Sequence, residues 1–201
     1  MKERKETISI ATANVWAIVL LLVAAIVGML YYFLVRGAEG CKTDFSSGFD
    51  LGMPAWLSPF VWLLLFVVLM MAGTVLHEVV HGLVWARYAK GGWSTISFGV
   101  MWKYLAPYCH CSVPLLVPHY RRGALAPLFV VGVLPLLISP FIHSIPLLCL
   151  GIFFIAGASG DLMVVWRLRK ENPTSMVLDH PSEAGYLVYE EEGGEFIVHS
   201  S

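Results

Sequence analysis

The chain has 201 residues, 58% of them hydrophobic and only 13% charged, with a mean hydropathy of +0.73. Soluble domains carry about 25% charged residues, so this composition excludes an ordinary soluble domain, along with disorder, a collagen-like repeat and a coiled coil. Basic and acidic residues balance to a net charge of −1, which gives nucleic-acid binding no support and leaves a small integral membrane protein.

About 30 Å of hydrocarbon divided by 1.5 Å per residue calls for an apolar run of about 20 residues per span. Four runs meet this in chain order. The first covers Ile10–Val35, behind a charged start at Met1–Glu6. It is too long for the apolar core of a signal peptide, no small-x-small cleavage site follows it, and it is read as a helix. The second covers Ala55–Leu76 and extends to Ala89. The third, Ala124–Phe141, is punctuated by Pro127, Pro135 and Pro140 and is expected to kink. The fourth covers Ile145–Trp166. With the N-terminus inside, Lys2, Arg4, Lys5, Arg87, Lys90, Lys103, Arg121, Arg122, Arg167, Arg169 and Lys170 all fall on the inner side. Only Arg36 and Lys42 fall outside. This positive-inside bias places both termini in the cytoplasm.

Between the second and third spans, Gly91–Tyr120 holds a β-rich stretch (Trp93–Tyr104) followed by Pro107, Pro114 and Pro118. It reads as a hairpin or re-entrant loop against the inner membrane surface. The fold expected is therefore an all-α polytopic membrane protein of about four transmembrane helices with this cytoplasmic-side insertion. Residues 1–170 form the membrane domain and 171–201 an acidic cytoplasmic tail. Within the tail, Gly193-Gly194 is a candidate hairpin turn between Tyr186–Glu192 and Glu195–His199, and the plainer reading is a solvated, partly ordered cap.

Twelve of the fourteen acids lie in the N-terminus, loops or tail by this layout, and the exceptions are Glu78 and Asp161. An ionisable group inside a span is expensive and usually faces a cavity or a partner. Glu78 belongs to His77-Glu78-Val79-Val80-His81. Residues four apart share a helix face, so both imidazoles can converge on one metal. Glu78, about 100° further round the helix from His77, can reach a water there without ligating the metal. That is the layout of H-E-x-x-H hydrolases, and random placement would produce roughly 0.01 such matches in a chain of this composition. The structural alternative is a pair of histidines hydrogen-bonded between helices beside an incidental acid.

A catalytic zinc uses three protein ligands and keeps one position open. Asp161 stands six residues before Arg167, as His81 stands six before Arg87, so both lie about 9 Å from an inner-side arginine. The small residues Gly157, Ala158, Ser159 and Gly160 would let two helices approach closely enough to share an ion. Asp161 is thus the candidate third ligand, against the alternative of an ion pair or hydrogen bond with a neighbouring helix. Cys109, Cys111 and His119 form a reserve, although Cys-x-Cys fills only half a tetrahedral site and a reduced, partly buried pair is the plainer reading. His143 sits in the outer turn between the third and fourth spans, where an interfacial histidine needs no function.

At these residues the sequence resembles the putative zincin peptidase family of small bacterial membrane proteins. The likeness rests on His77-Glu78-Val79-Val80-His81-Gly82, on Tyr104-Leu105-Ala106-Pro107-Tyr108-Cys109-His110-Cys111, and on the late Gly160-Asp161. It covers roughly residues 55–170, and more loosely Asp179-His180-Pro181. More distantly the layout is similar to the site-2 family of intramembrane metalloproteases. That resemblance implies one Zn2+ per chain held by His77, His81 and Asp161, with Glu78 as general base and a membrane protein or peptide as substrate. It also implies a multi-pass place in the bacterial inner membrane. One departure stands out: the later aspartate of the site-2 family lies in an Asn-Pro-x-Asp-Gly-like setting, whereas here it lies in Ala158-Ser159-Gly160-Asp161-Leu162.

Zinc-dependent peptide-bond hydrolysis is the function this pattern implies. Three other readings use the same residues. One is a metal-binding adaptor without turnover, and another is a divalent-metal transporter. The third is a rhomboid-like serine protease built on Gly157-Ala158-Ser159-Gly160 with His77 or His81 as base.

Overall fold

The computed structural model describes residues 2–7, 9–48, 52–54, 56–102, 106–180 and 185–190. In chain order the elements are β1 (Lys2–Thr7), α1 (Ile10–Gly48), α2 (Ser58–Tyr88), β2 (Ile96–Met101), β3 (Ala106–Cys111) and β4 (Leu115–Leu116). There follow α3 (Val117–Pro127), α4 (Leu134–Ile138), α5 (Ile145–Gly157), α6 (Ser159–Leu168), β5 (Met176–Asp179) and β6 (Gly185–Glu190). Three helical stretches are long and apolar enough to cross a membrane, namely Ala11–Asp44, Ser58–Tyr88 and Val117–Ile138. The fourth expected span is broken at Ala158 into α5 and α6 and counts as a span only if the two are taken together.

The chain divides into two units. One consists of residues 14–80 and 126–159. In it Ala24, Tyr32, Leu136, Leu148 and Ile152 form a buried cluster, while the flanks of α1 and α2 expose Leu22, Ile26, Leu34, Phe60, Leu64 and Met71, the surface expected to face lipid. The prolines of the third span are accommodated by a π-helical segment, Leu128–Val133, between Pro127 and Pro135. Each proline lacks the N–H that would continue the ordinary helical ladder. Helix α5 approaches this segment closely at Gly151. A Cβ there would stand 2.7 Å from the Leu136 amide nitrogen and 2.8 Å from the Gly132 carbonyl oxygen. Backbone cannot rotate aside, so Gly151→Ala is expected to destabilise the unit by about 1–3 kcal/mol, read as a lower thermal midpoint in detergent.

Helix α1 runs further than the apolar run predicts. It continues through Gly37, whose φ of 68° interrupts the helical path, as far as Gly48. Asp44, expected in an outer loop, is instead 2% exposed on this extension. It accepts hydrogen bonds from Arg36 Nε at 2.6 Å and from the Tyr32 hydroxyl at 2.9 Å, with His143 Nδ1 at 3.3 Å. A buried carboxylate needs such partners.

The other unit comprises residues 1–13, 81–125 and 160–201. Its core is Trp85, Cys111, Leu115, Val117, Tyr120, Leu168, Val177, Tyr186 and Val188. The expected hairpin is present, with β2 and β3 paired antiparallel from Ile96↔Cys111 to Met101↔Ala106. The expectation of an all-α chain needs correcting, because the chain is mostly helical but carries two small sheets. The larger has strand order β1-β6-β5-β4, antiparallel throughout. It joins the charged N-terminal residues to the tail, with Arg4 opposite Val188 and Leu115 opposite Val177. The turn expected at Gly193-Gly194 lies outside the described residues.

Candidate metal centre

Helix α2 is continuous from Ser58 to Tyr88 and presents His77 and His81 one turn apart, with Glu78 beside them. Asp161 lies in the first turn of α6. With one ligand-type atom each, His77, His81 and Asp161 are the group among the described residues that could hold a metal ion.

His81 is the best-defined member. It is 5% exposed, and its Nδ1 lies 2.9 Å from the Gly123 carbonyl oxygen. A carbonyl only accepts, so Nδ1 carries the proton and donates it, which in the neutral ring leaves the lone pair on Nε2. Nε2 faces Asp161 Oδ1 at 3.4 Å. Two electron-rich atoms facing each other at that distance call for a cation between them or a second proton on the ring. Tetrahedral zinc with bonds of about 2.0–2.2 Å sets its ligand atoms about 3.4 Å apart, so the separation suits a shared ion.

A wall of aromatic rings supports His81 from behind. Its imidazole stacks on Trp85 with centroids 5.0 Å apart, and Trp85 stacks on Tyr120 at 5.1 Å. The indole Nε1 donates to the Tyr120 carbonyl oxygen at 3.1 Å. The Tyr120 hydroxyl in turn donates to Asp179, whose other oxygen accepts the Cys111 N–H at 2.9 Å. His110 Nδ1 stands 3.8 Å from that second oxygen. Burial holds the Asp179 carboxyl above the usual carboxylate range, outweighing the Cys111 N–H and Tyr120 hydroxyl that favour its charged form.

The reserve ligands fall elsewhere. Cys111 is 1% exposed in the core, with its thiol 3.4 Å from the Val113 carbonyl oxygen and its pKa pushed up by burial. His119 stacks on Tyr88 at 4.1 Å. Among the described residues none of Cys109, Cys111 and His119 joins a group of three or more ligand atoms close enough to share an ion. His143 lies in the other unit, beside Arg36 and Asp44.

Gly123, Trp85 and Tyr120 are the supporting residues that sequence reasoning missed, and Asp179 entered it only through the looser family likeness, with no role assigned. Gly123 acts through its carbonyl and therefore leaves no side-chain signature. Asp179 did carry a signal, as an acid among the apolar residues Met176–Leu178, but its place in an acidic tail hid it.

No curated protein and no solved structure matches the chain. The sequence model of the family described as putative zincin peptidase matches residues 70–176, which is more than half of the 201 residues and includes His77, Glu78, His81 and Asp161, and the chain belongs to that family.

Proposed function

We propose that this protein is a zinc-dependent peptidase that cleaves membrane-embedded or membrane-proximal segments, with His77, His81 and Asp161 as ligands and Glu78 as general base. The observation that carries the reading is the His81 arrangement, in which Nδ1 is committed to the Gly123 carbonyl while Nε2 faces Asp161 Oδ1 at 3.4 Å. A hydrogen bond from the far ring nitrogen to a carbonyl orients a metal-ligating histidine and raises its basicity. Zinc bound by these three residues would supply Lewis acidity, polarising the scissile carbonyl and lowering the pKa of a water. Glu78, on the turn that carries both histidines, takes the proton of the attacking water on a carboxylate oxygen and passes it to the leaving amine.

A helical substrate shields its backbone carbonyls, so it must unwind before attack. The hairpin offers a template for the unwound strand, because β2 pairs only with β3 among the described strands and so keeps one edge unpaired. The positive-inside bias supports a site in the cytoplasmic half of the membrane with both termini in the cytoplasm, and the family resemblance supports a bacterial inner membrane.

The test is metal analysis and peptide cleavage on the full chain purified in detergent. About one zinc per chain is expected, lost in His77→Ala and Asp161→Ala, with cleavage that a chelator abolishes and added zinc restores. Freshly purified wild type without metal would overturn the reading. Retention of zinc in Asp161→Ala would remove Asp161 from the ligand set.

A further inference from the structure

A polar cavity lies in the unit of residues 1–13, 81–125 and 160–201. It encloses about 950 Å³ and is walled by Arg4 and Glu6 of β1, by Trp166 and Arg167 of α6, by the turn from Lys170 to Ser175 and by Tyr186 of β6. That volume lies within the range of about 300–1,000 Å³ typical of small-molecule sites.

The charges of this cavity are not balanced. Glu171 pairs with Arg4, and Glu6 pairs with Arg167 at 3.1 Å and with Arg4 at 3.7 Å. Both carboxylates are thereby committed, while each guanidinium has five N–H donors and keeps some in reserve. The Lys170 ammonium has no carboxylate partner among the described residues, which leaves one cation in excess.

The Tyr186 hydroxyl is the second observation. Tyr186 is 0% exposed, and its hydroxyl has no hydrogen-bond partner among the described residues. Leaving such a group unpaired is unfavourable, so its survival here asks for a reason. The phenol is surrounded by the charges of Glu171, Glu6, Arg167 and Arg4, the same side chains that wall the cavity, and burial among them pushes its pKa up to about 12. It stays protonated and can only be satisfied by an acceptor or a donor that enters.

The rim points to where that ligand comes from. Trp166 is 62% exposed, and the Arg169 guanidinium lies 3.4 Å from its ring centroid. An indole stacked with a cation, at the end of an apolar run, suits the headgroup level of a bilayer.

We propose that the cavity walled by Arg4, Arg167, Lys170 and Tyr186 binds a phosphodiester or phosphate-ester group, carried by an anionic phospholipid headgroup or by a soluble ester. The non-bridging oxygens accept from the Lys170 ammonium, from the unused guanidinium N–H groups and from the Tyr186 hydroxyl. Asn172 and Thr174 are placed to bond the alcohol part of the headgroup. This inference rests on the membrane reading of the chain and is independent of the peptidase chemistry.

The experiment uses the delipidated full chain with phosphatidylglycerol or phosphatidylcholine nanodiscs and, separately, with glycerol 3-phosphate. Native mass spectrometry and titration read retention and affinity. Wild type is expected to prefer one of the two anionic probes, phosphatidylglycerol or glycerol 3-phosphate, over zwitterionic phosphatidylcholine. Lys170→Gln and Tyr186→Phe should each weaken that binding by about tenfold, the effect of one charge-assisted hydrogen bond. Tyr186→Phe removes an oxygen without a partner, so its thermal midpoint should not fall, and a loss of affinity at undiminished stability separates ligation from a packing defect. Preference for phosphatidylglycerol assigns the site to lipid, and binding of glycerol 3-phosphate alone assigns it to soluble esters. Binding of neither probe, or binding that both variants leave unchanged, overturns the proposal. Zinc content measured on the same samples reports separately on the metal centre.

Discussion

Replacing Glu78 by Gln is expected to lower peptide hydrolysis by about 10²–10⁴-fold while zinc stays in place. The substitution keeps the size of the side chain and removes its charge and its ability to accept a proton. The three ligand-type atoms belong to His77, His81 and Asp161, so nothing that would hold the ion is touched. The contacts that orient His81, the Gly123 carbonyl at Nδ1 and the Trp85 ring stacked on its face, come from groups the substitution leaves in place. The variant therefore separates a catalyst from a metal-binding adaptor or a metal transporter, in which Glu78→Gln should leave function largely intact. The measurement is a single-turnover cleavage assay beside metal analysis of the same preparation. Cleavage within tenfold of wild type would remove Glu78 from the chemistry, and loss of zinc would make it a ligand.

Local chemistry made part of this centre legible in the sequence, and long-range pairing hid the rest. His77, Glu78 and His81 could be found because helix geometry converts a spacing of four into a shared face, and because three polar groups stand in an otherwise apolar run. Asp161 could be found for a related reason, as an isolated acid in the last apolar segment. The four-stranded sheet could not. Its strand β1 reads Lys-Glu-Arg-Lys-Glu-Thr, a sequence with no apolar alternation, and its pairing with Gly185–Glu190 bridges nearly the whole chain. Asp44 was misplaced because the apolar run stops near Val35 while the helix continues through Gly37 on polar residues held by Arg36 and Tyr32. The same sheet brings Asp179 to Tyr120, so an acid that looks like a tail residue accepts the hydroxyl of a ring in the stack behind His81.

Gly123→Ala tests whether that wall matters to the metal, and it is expected to reduce zinc affinity about 10- to 100-fold. An added Cβ would stand 2.0 Å from Trp85 Nε1 and 2.1 Å from Cδ1. Trp85 is 4% exposed, wedged between the His81 and Tyr120 rings and tied by Nε1 to the Tyr120 carbonyl, so it has no open direction in which to move. Either the indole shifts, breaking that bond and the stack behind His81, or the backbone at residue 123 withdraws and takes with it the carbonyl that holds Nδ1. Both routes loosen the same imidazole. Overpacking of this kind also costs roughly 1–3 kcal/mol of stability, so zinc competition must be read beside a thermal midpoint taken without metal. The double variant Gly123→Ala with Trp85→Phe removes the clashing edge of the indole and should recover part of the affinity. If Gly123→Ala instead binds zinc as tightly as wild type, the carbonyl does not position His81, and orientation of the ring must come from Asp161 and the helix alone.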